Sequence, residues 1–440
     1  MTRALTTVPV LTAGAAVEVA AGLARRFAEG AADRDARRVL PVAELDELSA
    51  SGLLAITVPV RYGGAGLPVA VVAEVVRLLA TGDPNIAQIP HSHYAYIGQL
   101  RRNGTDAQQR ELFGEVLAGR RFGNAQSEAG TKHVRDIRTT LTAVGDGHWR
   151  LDGRKFYATG ALLAHRIPVL AHLGPDGPLH VAWVDRHADG VEVVDDWNGL
   201  GQRTTASGSV VLRGVDVPDS LITPYAVTFD GPQTYGAFAQ VLHAAIDAGI
   251  ARAALTEAAA FVRERSRPYP DAGVDRAADD PLVVHAFGEL ELAVRAGEAL
   301  LAEAAGAIDR ADAVLTADAA RTGAALTVDA ARTGAALTVD AARTGAALTV
   351  DAARTDAVAL AGAASLAVAA ARAATSRAAV DAGSRLFEVA GTRSAAAGLG
   401  LDRHWRNART HTLHDPTAWK IQHLGRWAVD GTPPPNHGQA

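Results

Sequence analysis

Residues 401–416, LDRHWRNARTHTLHDP, crowd cationic and proton-active side chains into a chain otherwise dominated by alanine, glycine and leucine. Arg403, Arg406 and Arg409 recur every third residue, which on a helix makes one basic stripe with some drift. His411 and His414 follow at i, i+3, and an imidazole titrates close enough to neutral pH to give or take a proton. Cations near a helix C-terminus are favoured by its dipole, which accounts for the arginines but not for Trp405 and the two histidines. His93, in PHSHYAY, offers the same chemistry early in the chain. HSH at 91–93 and HTLH at 411–414 have metal-ligand spacing as well. A di-iron bundle, however, needs a Glu-x-x-His from each of two helices. The chain has no such motif, and no metal is expected.

Composition removes other chemistries. With no cysteine there are no disulfides, thiolate metal sites or cysteine nucleophiles. A formal net charge of −5 speaks against a general nucleic-acid or membrane-surface role, which would favour a basic excess. Neither GxGxxG nor GxxxxGK[ST] occurs, and the run Gly63-Gly64-Ala65-Gly66 reads as a turn, so a Rossmann or P-loop enzyme is not expected. Thr and Pro break up the N-terminal apolar run, and Asp and Arg punctuate the alanine-rich half. Neither an export signal nor a membrane span is therefore expected, and the expected location is the cytoplasm.

The elements that must position these residues fall into three blocks within 440 residues. From about residue 17 to 119 apolar residues recur at three and four spacing, a helical pattern, with Pro41 opening one helix and Gly52 following the end of it. From about 122 to 219 the texture is β. IPVLAHL, LHVAWV, VEVV and SVVL read as short strands, and Gly145-Asp146-Gly147 and Asp152-Gly153 as tight turns, together suiting a barrel or sandwich. Beyond Pro232 long alanine-rich helices suggest an up-and-down bundle. The expectation is an α+β chain: a helical domain over residues 1–121, a β domain over 122–225 and a helical bundle over 226–440.

DAARTGAALTV occurs three times without change at 318–350. Eleven residues are close to three α-turns, which would put Leu326, Leu337 and Leu348 on nearly one face. The repeat reads as a neutral elongation between two bundle helices, whose excision should leave activity near normal.

Six segments, in order, carry a resemblance: VPVRYGGAG (58–66), RFGNAQSE (121–128), LDGRKFYATGAL (151–162), GQRTTASGS (201–209), FVRERSRPY (261–269), and LFEVAGTRS (386–394) running on to RNARTHTLHDP. Together they resemble the acyl-CoA dehydrogenase superfamily, and within it the flavin-dependent monooxygenases of sulfur acquisition related to dibenzothiophene monooxygenase. The resemblance implies an acyl-CoA-dehydrogenase-like fold with an N-terminal α-helical domain, a middle β-barrel or sandwich and a C-terminal four-helix bundle. It implies reduced FMN supplied by a separate NAD(P)H-dependent flavin reductase, with FAD as the alternative, and a homotetramer. The activity it implies is oxygenation of a small organosulfur compound by O2 through a C4a-hydroperoxyflavin.

By the same resemblance Asn124, Ser127 and Thr159 line the isoalloxazine edge, Trp197, Gln202, Arg203 and Ser207 form the next flavin-facing turn, and Arg265 grips the flavin phosphate, usually of a neighbouring subunit. Arg406 is assigned to the cofactor, and His93, His411, His414 and Thr159 to the substrate side. The rival activity is acyl-CoA dehydrogenation with tightly bound FAD, which needs a carboxylate base, and Asp415 is the candidate. A further alternative is a catalytically inactive helical scaffold.

Overall fold

The computed structural model describes the backbone of residues 7–332 and 340–438, with side chains at 7–317 and 356–438. The N-terminal block is helical: α1 (Ala13–Ala28), α2 (Ala31–Arg37), α3 (Val42–Ala50), α4 (Val69–Gly82), α5 (Pro84–Gln88), α6 (His91–Asn103) and α7 (Asp106–Leu117). Pro41 is the N-cap of α3, and Gly52, at φ +86°, takes the left-handed conformation just beyond that helix. Gly63 and Gly66, both at positive φ, turn the chain between α3 and α4. Thr105 opens α7 with a reciprocal capping box to Gln108.

The strands are β1 (Thr140–Gly145), β2 (His148–Lys155), β3 (Arg166–Leu173), β4 (Leu179–Asp185), β5 (Val191–Val194), β6 (Ser209–Pro218) and β7 (Ile222–Pro224). They form one mixed sheet, ordered β5-β6-β2-β1-β3-β4-β7, in which only β1 and β3 run parallel. Strands β4 and β6 are not neighbours in that order, yet Ala182 and Val184 of β4 share a core with Val210, Leu212, Val215 and Val217 of β6. The sheet therefore curls on itself.

Asp146 (φ +51°) and Gly147 (φ +73°) are the left-handed pair of the predicted β1–β2 hairpin. Asp152-Gly153, by contrast, is not a turn. It lies inside β2, at the register shift against β6. There a Cβ on Gly153 would sit 2.3 Å from Thr139 Oγ1, so the glycine is required by close packing instead.

The third block is α8 (Tyr235–Glu264), α9 (Pro281–Arg332), α10 (Asp340–Ala390), α11 (Asp402–His411) and α12 (Thr417–Asp430). Helix α8 is apolar on nearly every side and is buried between α4, α9 and α10. The stretch Asp356–Ala390 of α10 is long and apolar enough to cross a membrane by length and composition alone, as the core helix of a bundle also is. In this fold it packs against α8, α9, α11 and α12 and buries Arg372, Thr375 and Ser376. Backbone helix reaches Arg332 and resumes at Asp340, whereas the side chains of the repeat, with its leucine face, lie outside the described residues.

Candidate functional site

Helix α8 carries His243 and Asp247 one turn apart on one face, both buried in an otherwise apolar segment. A charge placed there must be paired to be tolerated. Asp247 Oδ2 accepts from Arg372 Nη1 at 2.6 Å and from Ser376 Oγ at 2.8 Å, both on α10. Its other oxygen lies 2.6 Å from His411 Nδ1, on α11. Burial alone would raise the Asp247 pKa, but the positive charge that His411 carries when protonated, the Arg372 guanidinium and the hydrogen bonds from His411 and Ser376 outweigh it, and the carboxyl lies below its ordinary value. His411 Nε2 is 3.0 Å from His243 Nδ1 and 3.2 Å from Gln88 Oε1, on α5.

The His243 ring packs against two more imidazoles. His91 stacks on it with centroids 4.0 Å apart, and the His414 ring lies 4.1 Å away. His91 is fixed by Nε2 on the carbonyl of Ala239 at 2.8 Å. Burial, then neighbouring positive charge, pushes His91 down to about 4 and His243 well below its ordinary value. His414 shifts in the same direction for the same reasons, but the residue is exposed on one side, where water screens part of the effect. Among the described residues no three His, Asp or Glu side chains converge as metal ligands.

Beside this cluster lie two loops, 156–164 and 197–208. Thr159 Oγ1 meets Ser207 Oγ at 2.8 Å, and Ser207 Oγ meets Thr205 Oγ1 at 2.7 Å. Trp197 donates from Nε1 to the carbonyl of Gln202 at 2.8 Å, and Tyr157 packs edge-on against it. Asn124 donates to the Tyr157 carbonyl at 3.2 Å, and Ser127 joins through its own carbonyl, which accepts from Phe156 N–H at 3.0 Å. Tyr157, Gln202 and Ala206 all hold positive φ, near +50°, a costly conformation for non-glycine residues and one that gathers at functional sites. Both amide atoms of Gln202, Asn124 Oδ1, Arg203 Nε and Thr204 Oγ1 are buried without a partner. Such orphans suit a planar ligand rich in ring nitrogens and carbonyls, and so fit a flavin.

Loop and cluster are held in register by two helices. On α11, Asn407 accepts from Gln202 N–H at 2.7 Å and Thr410 from Gly201 N–H at 2.8 Å, while His411 faces the cluster. On α5, Asn85 accepts from Thr204 N–H at 3.2 Å while Gln88 reaches His411.

Several expected site residues sit elsewhere. His93 is fully buried, with Nε2 at 2.9 Å from the carbonyl of Leu54 and Nδ1 accepting from Phe122 N–H at 3.0 Å. Both nitrogens are thus committed to backbone, and it is His91 that joins the other histidines. Arg406 pairs with Asp35 and Asp402 and is not available to a phosphate. Arg403 pairs with Glu257 and Arg409 bonds Thr412, so the predicted basic stripe is consumed internally. Asp415 is bound at 2.8 Å by the buried Lys420, which neutralises it as a base. Arg265 caps the far end of α8, 22 residues past His243, which at 1.5 Å per residue is about 33 Å. Its guanidinium is exposed and lies far from its own chain's cluster.

Sequence reading passed over His243, Asp247, Gln88 and Arg372. The available signal was a histidine and an aspartate inside the apolar run VLHAAIDAGI, and an arginine inside SLAVAAARAAT.

Comparison with known proteins agrees with this architecture. Residues 16–120 match the acyl-CoA dehydrogenase N-terminal domain and residues 241–344 the acyl-CoA dehydrogenase C-terminal domain. Dibenzothiophene monooxygenase of Rhodococcus qingshengii is 30% identical over 434 residues, 95% of this chain and 94% of that one. The probable FMNH2-dependent monooxygenase SfnC of Pseudomonas putida is 31% identical over 433 residues, 95% and 96% of the two chains. The FMN-bound crystal structure of TdsC from Paenibacillus sp. A11-2 superposes with a TM-score of 0.82 at 28% identity, covering 97% of this chain and 100% of the other. The chain belongs to the acyl-CoA dehydrogenase family, on the branch that holds the dibenzothiophene monooxygenases.

Proposed function

We propose that the protein is a flavin-dependent monooxygenase that uses reduced FMN and O2 to oxygenate a small organosulfur compound. The FMN would be reduced by a separate NAD(P)H-dependent reductase, and the enzyme would work as a homotetramer in the cytoplasm. The observation that carries this reading is the pairing of a set of histidines, His91, His243, His411 and His414, with an adjoining loop of unpartnered buried polar atoms. When bound and reduced, FMN supplies the electrons that activate oxygen.

The chain's residues then bind, orient and handle protons. Gln202, Asn124 and the Thr159–Ser207 hydroxyl pair offer donors and acceptors to ring heteroatoms, and Trp197 with Tyr157 supplies a wall. Arg265 of a neighbouring copy suits the phosphate through a bidentate guanidinium fork. His414, on the exposed side, can hold or pass a proton, and the burial of His91, His243 and His411 would limit the water that drains activated oxygen to peroxide.

Acyl-CoA dehydrogenation with FAD needs a free carboxylate, and the ion pairs of Asp415 with Lys420 and Asp247 with Arg372 speak against it. The test mixes enzyme and anaerobically reduced FMN with oxygenated buffer containing an organic sulfide, and counts oxygenated sulfur product and hydrogen peroxide per flavin. Product near one per flavin is expected. Peroxide alone with every sulfide tried, together with bleaching of bound flavin by an acyl-CoA thioester, would overturn the reading in favour of the dehydrogenase.

A further inference from the structure

We infer that Asp247, His411 and His243 form a buried proton relay, in which Asp247 is a positioning residue and His243 Nε2 is the end that exchanges a proton with the site. This rests on the monooxygenase reading for its use, but not for its geometry.

The direction of the relay follows from the partners. An ionised Asp247, already bound by Arg372 and Ser376, only accepts, so His411 must carry its hydrogen on Nδ1. With His411 neutral in the resting relay, Nε2 presents a lone pair to His243 Nδ1 at 3.0 Å, which is then the donor, and the Gln88 oxygen at 3.2 Å gains its hydrogen-bond partner only once Nε2 is protonated. A neutral His243 with its hydrogen on Nδ1 has its free lone pair on Nε2, the nitrogen on the side of the ring away from the His411 contact. His91 from α6 and His414 beyond α11 both pack against the His243 ring. Of these two neighbours, His414 is the exposed one and marks the open side.

One transfer balances as follows. A proton arriving at His243 Nε2 forms an N–H bond there, and the Nδ1–H bond breaks as its proton passes to His411 Nε2. His243 ends neutral in its other tautomer, and His411 ends as imidazolium facing the Asp247 carboxylate. Gln88 Oε1, at 3.2 Å, is placed to accept from the new His411 N–H. The reverse transfer returns the proton to the site. No electron moves, and the charge created inside is paired with a carboxylate already there. An unpaired buried imidazolium would be costly, which is what the depressed pKa values of His91 and His243 express. His411, the ring that faces Asp247, is therefore the place to store it.

The test uses the full chain labelled with nitrogen-15 only at histidine. In the flavin-free protein, NMR should show His411 and His243 as Nδ1–H tautomers, with a strongly deshielded His411 Nδ1 proton. Asp247→Asn should abolish that proton signal and shift His411 toward the other tautomer. Because that variant leaves Arg372 unpaired and could fail to fold, His243→Gln, which keeps the Asp247–Arg372 pair, is the second variant. His243→Gln should bind FMN within about twofold of wild type, lose product formation by about a hundredfold and flatten one limb of the pH–rate profile. An Nε2–H tautomer at wild-type His411, or a His243→Gln enzyme with an unchanged pH profile and rate, would overturn the relay. The expected NMR pattern in a protein that oxygenates no sulfide would instead sink the functional reading and leave the relay standing.

Discussion

His411 and Asp247 are 164 positions apart in sequence and meet at 2.6 Å, Nδ1 to Oδ1, with both side chains excluded from solvent. Because the same carboxylate also takes Arg372, a single aspartate pins α8, α10 and α11 together and aims an imidazole at the site. Stability and chemistry therefore share one buried group, and substitutions around it should separate the two roles.

Arg372→Met removes the guanidinium and leaves the Asp247 carboxylate buried with only His411 and Ser376. Breaking a buried ion pair from one side costs about 3–5 kcal/mol. Urea unfolding should show a loss of that size, and most of it should return in the double variant Asp247→Leu, Arg372→Met, which would nonetheless be inactive.

His91 and His93 are both pushed down to about 4, chiefly by burial. Above pH 6.5 folded and unfolded chains alike hold them neutral. As pH falls from 6.5 toward 4 the unfolded chain takes up protons that the folded chain refuses, so stability falls, by up to about 3 kcal/mol for each histidine. Urea midpoints measured between pH 7.5 and 4 should drop across that window. His93→Gln should start lower at pH 7.5, having lost its ties to Leu54 and Phe122, but fall less steeply.

Arg265→Ala should weaken FMN binding by about tenfold, the worth of one charge-assisted contact, while turnover at saturating flavin stays near wild type. Its distance from His243 along α8 adds a sharper test. At limiting FMN, mixed assemblies of Arg265→Ala and His414→Ala chains should regain sites in which both residues are intact, so their activity there should exceed that of either variant alone.

His414→Ala should keep FMN affinity and convert product formation into hydrogen peroxide release, read as the ratio of peroxide to oxygenated sulfur per O2 consumed. Equal loss of flavin affinity would assign His414 to cofactor binding instead.

A Cβ on Gly201 would lie 2.0 Å from the carbonyl oxygen of Arg406, closer than backbone atoms can approach. Gly201→Ala should therefore push the 197–208 loop away from α11, break the Asn407 and Thr410 contacts and weaken FMN binding without touching any histidine. Fluorescence titration with FMN measures it.

The broad architecture was legible because it rests on local signals. Helical periodicity before residue 119, short strands punctuated by Gly and Asp, and the long alanine-rich segments each reflect a period that the chain carries residue by residue. Asp152-Gly153 misled because a turn dipeptide and a glycine demanded by close packing look alike in sequence, and only the neighbouring Thr139 distinguishes them. His91 and His93 were likewise indistinguishable. Two positions along a helix differ by about 200°, so one ring faces Ala239 and His243 while the other faces Leu54 and Phe122.

By itself the sequence determined the chain's family, its order of helical, β and helical blocks, the absence of cysteine chemistry and the concentration of imidazoles near its C-terminus. Tertiary structure alone decided which charges remain available. Arg406 and Asp415 look reactive in the sequence and are neutralised by Asp35, Asp402 and Lys420, whereas Asp247, hidden in an apolar run, becomes the group that orients His411. The physical reason is that a side chain's chemistry is set by its partners and its burial, and the deciding ones can lie far off in sequence, as Asp35 does for Arg406 and Asp247 for His411.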